Sequence, residues 1–440
     1  MSDVKNQTSF RIPEAGFWAS AWKVAAAIGA FGLVVAGVGY GVDPERFAFS
    51  YLFAFWLALT VAFGSMFFVL IQHLTGAGWS VTVRRTAEFL TRGVPVLIVL
   101  FLPVAASMDT LYPWLELDKE HGVAHAQEHA APEDVHPGSE GHAAAPSHGG
   151  EHHDPEHLAH HAIMAKKHAY LNTPFFAVRA ILYFGIWFWI AGTLFRRSTQ
   201  QDESGDPQLT AKLQRFAPLA TIILAFSMTF AAFDWFMSLI PNWYSTMWGV
   251  HMFASSIVII HALIIVITLS LRNAGLLGNT VHVEHYHDLG KLQFGFLVFW
   301  GYISFSEFFL IWYSAIPEET VFFHLRWDNP TWRWVSMSLV VLHFIMPFFL
   351  ILSRNIKRNL PVLGFGASWI LVMHIVEGYY IVLPFFGGPE LELSMVWLDL
   401  ACVLGVLGVY FAVVFREMLR HNLIPIKDPR RIRAEQFVNA

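Results

Sequence analysis

Ten apolar runs decide what this chain can fold into. They cover about residues 17–40, 47–74, 83–107, 175–195, 213–240, 243–271, 289–316, 331–352, 361–386 and 394–420. An apolar helix needs about 20 residues, each rising roughly 1.5 Å, to cross the hydrocarbon of a bilayer. Lipid offers no partner to an unpaired peptide group, so such runs cross as helices with every N–H and C=O bonded inside the segment. The class that follows is all-α, a polytopic membrane protein of ten transmembrane helices. Composition agrees, at 55% hydrophobic and 14% charged residues against about 25% charged in soluble chains. The clearest pair is the hairpin from Lys212 to Leu271, whose two runs meet at a short turn through Pro241.

Charge gives the direction. No Lys or Arg lies between Arg215 and Arg272, whereas Arg196, Arg197, Lys212, Arg272 and Lys291 sit just beyond the hairpin ends. Cytoplasmic loops collect Lys and Arg, so the Pro241 turn is expected outside and both termini inside. The chain then divides into a cytoplasmic N-terminus (1–16), three helices (17–111), an outer loop (112–172), seven helices (173–420) and a basic cytoplasmic tail (421–440). The tail is expected at the surface, where it meets anionic lipid or a partner. The polar start lacks a short apolar core with a cleavage site, so no signal peptide is expected. With no basic patch interleaved with aromatics, nucleic-acid binding is not supported.

The outer loop is crowded with His, Ala, Glu, Gly and Pro, a composition that cannot bury enough apolar surface to fold alone. His121, His125 and His129 recur at spacing four. Loose binding of a divalent metal is one reading of this spacing, but no fixed ligand geometry follows from it, and a solvated, pH-responsive loop is the expectation. The run His282 to Asp288 is read as the polar start of a helix, and no metal site is assigned to the chain.

Ionisable groups inside the spans cost about 3 kcal/mol or more each unless they face protein or water. Helical rise staggers them through the depth. His73, Glu88, Arg92 and His261 fall near the inner side; His343, His374 and Glu377 near the middle; Glu307, His251, Asp234, Asp399, Asp109 and Arg179 toward the outer side. Acids and histidines at successive depths are what a proton path requires. Hence Asp234, Glu307, His343, His374, Glu377, Asp399, His251, Asp109, His261 and His73 are the relay candidates. The competing reading makes some of them paired structural groups, Glu88 with Arg92 above all. Prolines 95, 103, 218, 347 and 384 are expected to bend their spans.

The same residues limit the cofactors. Haem b in a helical bundle takes axial histidines in pairs at two depths, and His343 with His374 is the one mid-depth pair on neighbouring spans. A single cysteine, Cys402, cannot hold an iron–sulfur cluster. No covalently bound cofactor and no redox metal is expected.

Four long motifs carry a resemblance: IQHLTGAGWSVTVRRTAEF from Ile71, FAAFDWFMSLIPNWYSTMWGVHMF from Phe230, DLGKLQFGFLVFWGYISFSEFFLIWYSAIPEET from Asp288 and WILVMHIVEGYYIVLP from Trp369. Together they resemble the F-type integral membrane subunit of alternative complex III, a quinol:cytochrome c (or other acceptor) oxidoreductase, within the polysulfide-reductase membrane-subunit superfamily. The likeness covers nearly the whole chain outside the His-rich loop. It implies two four-helix bundles, spans two to five and six to nine, related by an inverted repeat. It also implies a bacterial cytoplasmic membrane, a respiratory or photosynthetic chain using a quinol such as menaquinol, and haem c and iron–sulfur clusters held by partner subunits. Those partners are a multihaem cytochrome c subunit, an iron–sulfur subunit, a C-type membrane subunit and small anchors, with a terminal oxidase as one acceptor. The chain departs from the family pattern at Ile240, Asn242 and His251.

The function expected is therefore a metal-free membrane subunit of a quinol-oxidising complex that contributes to proton translocation. Whether it also binds quinone is left open by the resemblance. A stand-alone proton- or ion-coupled transporter is the alternative from another class, since buried acids and an internal repeat suit both. A purely structural anchor is the third.

Overall fold

The computed structural model describes residues 9–115, 166–386 and 393–439. Among these residues ten helices are long and apolar enough to cross a membrane: α1 Phe17–Val42, α2 Pro44–Leu74, α3 Val81–Ala106, α4 Thr173–Ser204, α5 Pro207–Leu239, α6 Trp248–Asn273, α7 Val283–Ser314, α8 Pro330–Leu352, α9 Leu360–Phe385 and α10 Val396–Arg420. The chain is an all-α, multi-pass membrane protein. Most of the His-rich stretch lies outside the described residues.

Local sequence explains the starts. Asp43-Pro44, Asn172-Thr173-Pro174, Asp206-Pro207 and Asn329-Pro330 each place an oxygen-bearing side chain before a proline. In each case that side chain accepts from a backbone N–H of the first turn, as Asp43 does from Arg46 at 2.9 Å. The proline fixes φ where its missing N–H has no partner to lose.

Helix α2 is the axis of the molecule, with nearly every side chain buried. It crosses α6 at Gly64, where a Cβ would stand 2.1 Å from the Ser256 carbonyl oxygen, so only glycine allows this approach. Around this crossing α2 packs on α3 and α5, and α6 packs on α7 and α9; α4 and α8 complete two four-helix bundles. The contacts between the bundles match in pairs, α2 against α9 answering α6 against α5. The two bundles meet through α2 and α6. Helix α1 stands outside both bundles and seats on α10, where Gly29 and Gly32 meet Gly405 and Gly408 backbone to backbone.

The prolines act in different ways. Helix α3 breaks into Val81–Leu90, a 3₁₀ turn Thr91–Gly93 ahead of Pro95, Val94–Leu100 and Leu102–Ala106. Pro218 is held inside the continuous stretch Pro207–Trp235 of α5. Pro347 has no N–H to return to the His343 carbonyl, and the turn before it, Leu339–Ile345, widens into a π-helix.

Two expectations on the side of the termini are corrected. Glu88 pairs with Arg84 (2.8 Å) and Arg85 (3.0 Å), and Arg92 lies instead 3.6 Å from Glu417 of α10. The 3₁₀ turn rotates Arg92 off the face that carries Glu88. The tail is not a free basic surface segment either. Leu423 and Ile424 are buried, Leu423 N–H donates to the Phe10 carbonyl, and Asp428 binds Arg84 at 2.9 Å and Arg430 at 3.1 Å. His282 and His285 cap the start of α7 and face the carbonyls of Glu435 and Ala434, so this histidine run fastens the tail.

Burial pushes the Asp428 carboxyl up, but Arg84 and Arg430 outweigh it and hold the group well below the usual carboxylate range. A depressed pKa contributes stability above the unfolded value that is lost only as pH falls through the folded one. The tail should stay docked from neutral pH through the ordinary carboxylate range and release in stronger acid. Asp428→Asn should weaken it by about 3 kcal/mol, since removing one partner strands a buried charge. Limited proteolysis should show cleavage after residue 421 rising on the order of a hundredfold at neutral pH.

Candidate functional site

The second bundle gathers what the sequence had staggered. On α9, His374 and Glu377 are three residues apart and share a face; Nδ1 of His374 lies 2.9 Å from Glu377 Oε2. His374 is held on its other side by Thr60 of α2, 2.9 Å from Nε2, and is stacked on Trp56 at 4.6 Å. Both imidazole nitrogens are thereby engaged, an arrangement unlike that of an axial haem ligand. Glu377 Oε1 accepts from Ser255 Oγ of α6 at 2.5 Å and from the Trp300 indole of α7 at 2.6 Å. His251 of α6 comes within 3.4 Å of the same oxygen without the geometry of a hydrogen bond, and its Nδ1 is 3.5 Å from Ser304 Oγ.

Four helices thus converge on one buried carboxylate. His343, on the widened turn of α8, stacks on Trp300 with centroids 4.3 Å apart. Glu307 lies further toward the face opposite the termini, the far face, and accepts from Ser245 Oγ at 2.5 Å, a residue of the turn between α5 and α6. Between Glu377 and Glu307 is a cavity of about 410 Å³, walled by Trp248, Trp300, Phe322 and Phe344, with His251, Ser304, Ser336 and Tyr380 adding polar groups. Arg326, on the short helix Pro317–Trp327 along the far face, is buried beside it. It donates to the carbonyls of Phe322, Tyr380 and Ile381 and stacks on Phe322 at 3.5 Å.

The remaining candidates stand elsewhere. Asp234 is gripped by Arg179 through Nε at 2.7 Å and Nη2 at 3.0 Å, with Tyr183 donating at 2.8 Å, and joins α5 to α4 in the first bundle. Asp399 takes Arg46 at 2.6 Å and Ser50 at 2.5 Å and ties α10 to α2. A carboxylate so saturated by a guanidinium and a hydroxyl is a clamp, and neither group touches the Glu377 centre. His261 approaches its own helix through the Ile257 carbonyl at 2.7 Å and packs between Phe68 and Phe296. His73 is buried in the last turn of α2, and Asp109 lies in the short helix Met108–Leu111 after α3.

Sequence reasoning missed Thr60, Ser255, Trp300 and Ser304. Small hydroxyl residues and tryptophans are common inside membrane helices, and only packing shows which of them meet a carboxylate. Chemically, the arrangement is a hydrogen-bonded set, Thr60–His374–Glu377, continued by His251 at 3.4 Å from Glu377 and Ser304 at 3.5 Å from His251 toward a cavity ending at Glu307. Imidazole and carboxylate in contact can share and pass one proton.

Compared with known proteins, the chain matches no protein-family model and no curated protein.

Proposed function

We propose that this chain is a membrane subunit, without a redox metal of its own, of a quinol-oxidising electron-transfer assembly of the alternative complex III kind. In this reading its second bundle conducts protons between mid-depth and the far face. The observation that carries the proton role is the Glu377 centre, where groups from α2, α6, α7 and α9 meet in one hydrogen-bonded chain. Membership of such an assembly is supported by the four motifs and their order along the chain. The basic residues flanking the spans argue that the face carrying both termini is cytoplasmic, so the far face meets the outer compartment of a bacterial cytoplasmic membrane. Electron carriers, haem c and iron–sulfur clusters, belong to the partner subunits in this reading.

The first test is co-purification. Extracted gently from its own membrane, the chain should migrate with haem-staining c-type cytochrome and oxidise an added naphthoquinol. A haem-free, monodisperse protein that takes up solute in response to a proton or sodium gradient would establish the transporter reading instead.

A further inference from the structure

We infer that the edge of the second bundle on the side of the termini, where α7 meets the turn between α8 and α9, holds the phosphate of an anionic phospholipid. The inference needs only that the chain spans a membrane, so it stands apart from the proton path and from membership of an assembly.

Charge is the first observation. The short helix Arg354–Arg358 in that turn carries three cations in five residues and packs on α7, where Lys291 adds a fourth. Two carboxylates answer them. Glu284 takes Arg358 through both nitrogens, at 2.8 and 2.5 Å, and Asp288 takes Lys291 at 2.5 Å. Among the described residues, Arg354 and Lys357 form no ion pair, which leaves two positive charges without a counter-charge.

Lys357 is the telling one, because it is only 7% exposed. Its stem lies across Gly290 of α7, where a Cβ would stand 3.3 Å from the lysine Cγ. Its Nζ donates to the Leu352 carbonyl at the end of α8, at 2.8 Å, and lies 4.9 Å from the centre of the Phe294 ring. A carbonyl and a ring face stabilise an ammonium without neutralising it. Burial, and then the charge of Lys291, push this ammonium below its ordinary pKa, and a buried cation is costly until an anion joins it. His287 is buried in the same cluster, close enough for Lys291, Arg358 and Arg354 to act on it, and its Nδ1 has no hydrogen-bond partner among the described residues. A phosphate has the charge that Arg354 and Lys357 lack and oxygens to accept from such groups.

The apolar surroundings select a lipid as the carrier of that phosphate. Phe349 and Leu352 of α8 are 65% and 48% exposed, and Gly295 of α7 faces open space. Phe294 packs on Phe348 with ring centres 5.1 Å apart, so an aromatic pair joins α7 to α8 next to the Lys357 ammonium. Unpaired cations at the ends of two spans, beside rings and an open lipid-facing strip, fit a molecule with a phosphate at the bilayer surface and acyl chains running inward. An acidic peptide or free phosphate would meet the charge and leave the strip uncovered. A zwitterionic lipid brings an ammonium of its own, which the surplus positive charge repels.

The experiment uses the full chain, stripped of lipid in mild detergent, and native mass spectrometry with phosphatidylglycerol and phosphatidylethanolamine of identical acyl chains. The first phosphatidylglycerol should bind about thirtyfold more tightly, the usual effect of two basic residues at an anionic surface. Arg354→Gln and Lys357→Met should each remove about fivefold of that preference, and together all of it. Arg333→Gln, at a cation of the far face, should change nothing. Arg354 is exposed and makes no hydrogen bond among the described residues, so its variant keeps the test open should Lys357→Met fail to fold. In nanodiscs, a photoreactive phosphatidylglycerol should label residues 294–298 and 348–352 and resist displacement by glycerol phosphate. Equal affinity for the two lipids, or a preference that survives the double variant, would overturn the inference. So would displacement by glycerol phosphate, which would mark a site for free phosphate. Absence of label on a gently extracted sample would also overturn it, giving the patch to an acidic protein neighbour.

Discussion

Glu377→Gln should leave an assembled, acceptor-reducing complex in which proton delivery through the second bundle is slowed about a hundredfold, the lower part of the range that positioned acid–base groups contribute. The amide keeps the shape of the side chain, and its carbonyl oxygen still accepts from Ser255 and Trp300, which lie 2.5 and 2.6 Å from the carboxylate. What it loses is the ability to titrate and to hold a proton jointly with His374. In reconstituted vesicles, protons released per electron should fall while uncoupled turnover persists. Glu377→Ala should behave differently. It strands the Trp300 indole N–H and Nδ1 of His374 in the bundle core, each costing about 1–3 kcal/mol, while Ser255 can still donate to the His251 carbonyl, so thermal stability should drop steeply. Unchanged proton release in an assembled Glu377→Gln complex would rule out conduction through this centre.

The second large effect is expected far from that centre and of another kind. Arg179→Ala should destabilise the first bundle by about 3–5 kcal/mol, because it leaves Asp234 charged and buried without its fork of donors. Asp234→Asn should cost less and leave proton release unaltered, since Asp234 shares no contact with Glu377. Thermal denaturation and vesicle assays of the two variants separate stability from conduction. A fall in proton release for Asp234→Asn would restore that residue to the relay, where depth alone had put it.

That contrast shows what could be read from the sequence. Ten spans and their approximate ends were legible, because the length of an apolar run is a one-dimensional quantity with one physical meaning in lipid. The pairing of His374 with Glu377 was legible too, since spacing three on a helix fixes a shared face. Depth, by contrast, places residues along one axis only. Asp234, Asp399 and His251 share a level, yet Arg179 and Arg46 claim the first two while His251 turns toward Glu377. Azimuth is set by which helices meet, and that depends on features such as Gly64 against the Ser256 carbonyl that look ordinary in a string of letters. The tail was misread for a similar reason. Its basic residues suggested a solvated segment, but Arg84 is buried in α3 and recruits Asp428 across a sequence separation of 344 residues.

The seam between α1 and α10 has a consequence in time. Gly32 meets Gly405, 373 residues later, and at the usual 5–20 residues per second of synthesis that distance takes roughly 20–75 s. Throughout that interval the glycine face of the first helix has no mate. Of these ten spans, the first to be synthesised is thus among the last to be fixed, and until α10 arrives it must be screened by lipid, by an insertion factor or by a neighbouring chain. Truncation before Val396 should therefore release α1 from its place and leave the rest of α2–α9 packed around the Gly64 crossing.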